Sequence, residues 1–208
     1  MSNSARFDRR ATIAALVLYP VLAGLWMITL HLPAGSTLVT AGALAFLCAQ
    51  ISLAVWAIGA WKLLRSRTPV LGGFASGLLF ISAFGHAVSA GDMMARPDAL
   101  VTDPLPVGLT IIAPATMVGL VLGTILLAVA LFRAGFGAGW IAVVLLGWVA
   151  VEFFLGGLGV WATIASAALL MVACVGLAVV VGRSDVRDWT TVSEWTAADE
   201  AAPARVGR

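Results

Sequence analysis

The chain has 208 residues, 62% of them hydrophobic and 11% charged, with a formal net charge of +2. Soluble domains carry about 25% charged residues, so this composition excludes an ordinary water-soluble fold, and so small a net charge offers nucleic acid no electrostatic footprint. Cys48 and Cys174 sit in apolar runs with no CxxC or CxxCH around them, which leaves neither a zinc ribbon nor a covalent haem attachment to read.

Arg6, Arg9 and Arg10 precede the first apolar run, residues 11–32. A signal peptide has the same order of charges, but this run is longer than an h-region and no A-x-A site follows, so a retained helix is expected. His31 lies at its end, and Pro20 inside it takes a donor away from the carbonyl of Leu16. The second run, 38–61, carries Gln50 near its middle, ends on Trp61 and is followed by Lys62, Arg65 and Arg67. In the third run, 70–91, Ser82, His86 and Ser89 stand at helical spacing and form one polar stripe. The segment after it, 92–107, is acidic and proline-rich, with Asp92, Asp98, Asp103 and a single basic residue, Arg96.

The fourth run, 108–132, contains Pro114, which leaves the carbonyl of Thr110 without its usual donor. It also holds the GxxxG pair Gly119–Gly123, matching Gly73–Gly77 in the third run; both are expected to serve packing within the chain. After Arg133 comes the fifth run, 139–157, with Glu152, the one acid inside any run. The sixth run covers 160–182. In the tail, 183–208, Trp189, Val192 and Trp195 recur at roughly helical spacing, as in a short interfacial helix. Leu-Ala-Val occurs at 53–55, 127–129 and 177–179, as the trace of a duplication or as coincidence in a chain rich in these residues.

A run of roughly 20 apolar residues spans a hydrocarbon core of about 30 Å. Within it every backbone polar group must be satisfied locally, which leaves helix. The predicted fold is therefore all-α, a bundle of six transmembrane helices over 11–182, with a short N-terminal segment (1–10) and a tail (183–208). Eleven of the twelve basic residues fall on one side of this threading, and only Arg96 on the other. The positive-inside rule then places both termini in the cytoplasm. Trp61 and Trp140 fall at the inner interface and Trp161 at the outer one, as in an aromatic belt.

The layout, and stretches such as LLAVALFRAGFGAGWIAVVLLG (126–147), resemble small, uncharacterised six-helix bacterial inner-membrane proteins. The resemblance covers most of the chain and implies a bacterial inner membrane. It assigns no catalytic residue.

Ionisable groups within a span are costly and therefore candidates for function. His86 and Glu152 each lie about five residues from the outer end of their helices, roughly 8 Å deep. Contact between the third and fifth helices would bring them together. With Ser82, Ser89, His31 and Thr110 they point to a small polar cavity facing outward, the pair responding to protons or to a ligand. The alternative is that Glu152 and His86 bond each other, or a hydroxyl, and only fix the packing. No metal or cofactor is expected. Haem needs two axial histidines at matching depth, and His31 is a turn or more shallower than His86. His31, His86 and Glu152 have metal-ligand chemistry without local spacing. A serine nucleophile is also disfavoured, because Ser76 is ten residues from His86 on one helix, about 15 Å away.

Three roles follow, in order. The first is a transport or permease-like protein for a small molecule or ion. The second is an interaction or regulatory protein docking another membrane protein through its faces and the Trp189/Trp195 tail. The third is a membrane redox protein.

Overall fold

The computed structural model describes residues 3–29, 37–95, 107–136, 139–155, 159–184 and 189, and among them it is all-helical. Helix α1 spans Asn3–Thr29, α2 Thr37–Leu64, α3 Pro69–Ala95, α4 Val107–Ala134, α5 Gly139–Phe154 and α6 Val160–Arg183. All except α5 are long and apolar enough to cross a membrane. The 16 residues of α5 reach about 24 Å, less than a hydrocarbon core of about 30 Å. The fifth run was expected to continue to 157, but the helix ends at Phe154, and residues 156–158 lie outside the described ones.

Helix α1 begins two turns before its apolar run because its charged first turns have partners. Asp8 pairs with Lys62 of α2 at 2.5 Å, and Arg9 Nη1 donates to the carbonyl of Ser184, beyond α6, at 3.2 Å. Residues 3–10 therefore continue the first helix. Pro69 opens α3, where its missing N–H would have had no partner anyway. Gly135, with φ of 69°, supplies the left-handed residue just after α4.

The helices form a ring. Each packs on its neighbours in sequence, and α6 returns to α1. Neighbours run antiparallel. Thr12 faces Gly59 and Thr29 faces Gly42, so numbers rise along α1 as they fall along α2. The same crossing order holds for Leu79 against Gly123 and Thr116 against Gly85 between α3 and α4. Between α5 and α6 it holds for Trp140 against Gly176 and Glu152 against Ser166. The start of α1 and the end of α6 thus share one end of the bundle, together with Lys62, Arg65, Arg67 and Arg133. Arg67 also ties this end together: its Nη1 donates to the carbonyl of Ala134 at 2.9 Å, and its guanidinium lies over the Phe136 ring, 4.1 Å from the centroid.

Three glycine–threonine contacts set the closest approaches. A Cβ on Gly42, Gly59 or Gly85 would fall 2.1 to 2.2 Å from the hydroxyl of Thr29, Thr12 or Thr116. Each of those hydroxyls donates to a carbonyl of its own helix: Thr12 to Asp8 at 2.9 Å, Thr29 to Trp26 at 2.7 Å and Thr116 to Ile112 at 2.7 Å. The threonine can therefore enter a glycine notch without leaving a polar group unpaired. The GxxxG pair on α4 works similarly, Gly119 against the carbonyl of Leu78 and Gly123 against the backbone of Leu79.

Polarity is turned inward. Phe84, Ile28, Val143 and Phe132 are exposed on the outer wall, while Thr12, Gln50, Ser82, Thr124 and Ser166 are buried. Exposed apolar surface on every helix suits lipid rather than water. Trp61, Trp140 and Trp161 are all exposed near helix ends. In the basic half, Leu16, Leu64, Leu127 and Leu131 fill the centre of the ring. The first leucine of each Leu-Ala-Val triplet (Leu53, Leu127, Leu177) is buried in this core, so the triplets at least share a packing role.

Candidate functional site

Towards the other end the ring is hollow. A chamber of about 780 Å³ lies there, and all six helices contribute to its wall. It reaches from Tyr19, Leu120 and Leu170 at its floor to Asp92 and Met93 in the last turn of α3. The lining is mainly aromatic and aliphatic, with Tyr19, Trp26, Phe46 and Trp148 prominent, rather than the small polar pocket expected from sequence. Tyr19 packs against Trp56 at 5.8 Å and Trp26 stacks on Phe46 at 5.2 Å, so the aromatic wall is fixed by its own contacts.

Both ionisable candidates line this chamber, but they arrive separately. Helix α4 stands between α3 and α5 in the ring, so the expected packing of those two helices is replaced by two remote walls of one space. His86 Nδ1 lies 3.0 Å from the carbonyl of Ser82 and 3.2 Å from its hydroxyl. A carbonyl only accepts, which assigns the proton to Nδ1 and the lone pair to Nε2. The ring meets the Phe46 ring edge-on, 5.6 Å between centroids. Glu152 accepts a hydrogen bond from the hydroxyl of Ser166 on α6. Each residue is thus oriented by a serine rather than by the other.

The remaining candidates divide. Ser82 is fully buried and acts through His86. Ser89 lines the chamber, its hydroxyl donating to the carbonyl of Gly85 at 3.2 Å. Thr110 is exposed on α4 and does not line the chamber; Thr116, two turns on, does. His31 lies outside the described residues, and with it the pairing that a haem or a His31/His86/Glu152 metal site would need. Among the described residues no three His, Cys, Asp or Glu side chains converge as a metal-ligand set. Ser76 is buried without a hydrogen-bond partner among the described residues, and His86 is committed to Ser82.

Two wall residues have orphaned polar atoms: Gln50, already singled out in the second run, and Trp148, which was not. Gln50 Oε1 and Trp148 Nε1 are buried, and neither has a hydrogen-bond partner among the described residues. Both residues line the chamber. A buried acceptor or donor without a partner costs about 1–3 kcal/mol. Both atoms are closed off from the chamber by their own side chains and neighbours, so they mark polar groups in the wall behind its surface. Trp148 was within reach of sequence reasoning, since it stands four residues before Glu152 on the same helix face. Ser166 was not, because nothing local to α6 distinguishes it from the other small residues there. Among the described residues the chamber is lined by Glu152 and Asp92 and by no Lys or Arg.

No protein-family model, curated protein or solved structure matches this chain.

Proposed function

We propose that the chain is a six-span protein of a bacterial inner membrane, with both termini cytoplasmic, and that its chamber binds a small amphipathic solute bearing a basic group. A permease-like role follows, with Glu152 and His86 as the groups that respond to the solute or to protons. The observation that carries this reading is a chamber walled by all six helices, where Tyr19, Trp26, Phe46 and Trp148 surround the same space as Glu152 and His86. The aromatic lining supports a cationic guest, because an ammonium over Trp, Tyr or Phe gains about 0.5–2 kcal/mol. Glu152, whose carboxylate accepts from the Ser166 hydroxyl on the chamber wall, favours the same sign of charge. The grouping of Lys62, Arg65, Arg67 and Arg133 at the end where α1 begins and α6 finishes supports the orientation.

The docking role has less support. Trp189, one of its two tail anchors, is buried, and its Nε1 donates to the Ser184 hydroxyl at 2.9 Å. The other, Trp195, lies outside the described residues.

The test is a thermal-shift series on the purified full chain with size-matched aromatic amines, neutral alcohols and carboxylates, followed by flux of the best binder into proteoliposomes. Amines should stabilise the protein more than alcohols, and carboxylates least. Equal shifts for all three classes refute the cationic guest. Binding without flux refutes the permease role and leaves a binding protein.

A further inference from the structure

A second cavity, of about 640 Å³, lies on the outer flank of the ring at its basic end. Arg67, from the turn between α2 and α3, and Arg183, from the last turn of α6, both line it. Below them its wall is apolar, formed by Val172, Val175 and Val179 of α6 and by Trp140 of α5. Those valines and Trp140 are exposed on the face that the outer wall of the ring presents to lipid. Among the described residues the groove contains no Asp or Glu.

The geometry points to a binding site for one anionic phospholipid, its phosphate held between Arg67 and Arg183 and an acyl chain lying along the valine face of α6. Three observations agree on this occupant. Two exposed guanidiniums lining one groove attract an anion, and Arg matches a phosphate with paired N–H donors. Arg67 is preset, because its bond to the Ala134 carbonyl and its contact with Phe136 already fix the guanidinium. The wall continues from the charged end along the apolar length of α6, so the cavity has the polarity of a lipid: charged at one end and hydrocarbon along the rest. Gly176 makes room for this. A Cβ there would come within 2.5 Å of the Trp140 ring, so glycine lets that ring lie against α6 as the side of the groove. A soluble phosphate would use the two arginines and leave the valine wall idle.

The test uses the full chain in a neutral detergent, with thermal stability read against added phosphatidylglycerol, phosphatidylcholine, and glycerol 3-phosphate. Phosphatidylglycerol should raise the melting temperature at concentrations where the other two do nothing. Arg183→Gln, at an exposed position, should weaken the apparent affinity about tenfold, the order expected for one charge-assisted contact. Val175→Trp should weaken it by blocking the wall with both charges kept. Arg133→Gln, at the same end but outside the groove, should change nothing. Equal effects of phosphatidylglycerol and phosphatidylcholine overturn the assignment, and so does an equal loss in Arg133→Gln and Arg183→Gln. A response to glycerol 3-phosphate matching that of the lipid would reduce the site to a phosphate site.

Discussion

Gly59→Ala is the sharpest test of how the ring is held. The added Cβ would stand 2.2 Å from Thr12 Oγ1, 2.4 Å from Cγ2 and 2.8 Å from Cβ. Turning the Thr12 side chain moves the first two atoms but not its Cβ. Helix α1 must therefore withdraw, by about 1 Å if the two carbons are to reach ordinary contact. That withdrawal loosens Leu16 and Leu63 in the leucine layer and pulls on the Asp8–Lys62 pair. Overpacking of this kind costs about 1–3 kcal/mol, against a gain of up to about 1 kcal/mol for Ala over Gly in a helix. A net loss of roughly 1–2 kcal/mol is expected, read as reversible unfolding in mixed micelles. Gly77→Ala is the control: a Cβ there meets nothing within 4 Å, so only the helix gain should appear. Thr12→Ala in the Gly59→Ala background should restore part of the loss, giving a coupling of about 1 kcal/mol in a double-mutant cycle. If Gly59→Ala and Gly77→Ala behave alike, or the cycle is additive, the helices are not held by these notches.

Three other predictions concern the chamber and the threading. Glu152→Gln retains the bond to Ser166 and should cost little stability, since such intramembrane bonds average about 0.6 kcal/mol. It should lower affinity for an amine about tenfold or more, and a variant binding amines normally would falsify the role of the carboxylate. Trp148→Phe removes an unpaired buried donor, so the ligand-free protein should be as stable as the parent or more so; a loss of stability would show that the indole N–H is satisfied after all. Cysteines introduced at Ala99 and Ala198 should separate the two sides, an impermeant thiol reagent reaching position 99 but not 198 in cells with a permeabilised outer layer. The opposite labelling would reverse the proposed orientation.

Much of the scaffold was legible because a bilayer leaves few choices. Runs free of charge must be helices, and the positions of Pro69, Gly135 and Gly159 mark where they start and stop. The helices overran their apolar runs where charged residues found partners, as Asp8 did with Lys62, and pairing between distant segments leaves no local trace. The neighbour relations were the harder part. Two helices with ionisable residues at similar depth were expected to touch, yet in a ring closed through α1 and α6 they are separated by α4 and only border the same hollow. Depth is a property of one helix and can be counted along it; azimuth depends on all six. The threonine notches were missed for the same reason, since Thr12 and Gly59 are unremarkable until antiparallel packing sets them side by side.

The leucine floor beneath the chamber has an electrical consequence. From Met27 near the mouth to Tyr19 at the floor is about 12 Å along α1, roughly two fifths of a hydrocarbon core of about 30 Å. A unit charge crossing the whole membrane gains or loses about 2.3 kcal/mol per 100 mV. In the proposed orientation a monovalent cation entering from outside and resting on the floor would take about 0.9 kcal/mol of that, a near fivefold change in occupancy per 100 mV. The protein would then respond to membrane potential with no mobile charge of its own. The guest would be the gating charge, drawn inward in an energised cell and released as the potential collapses.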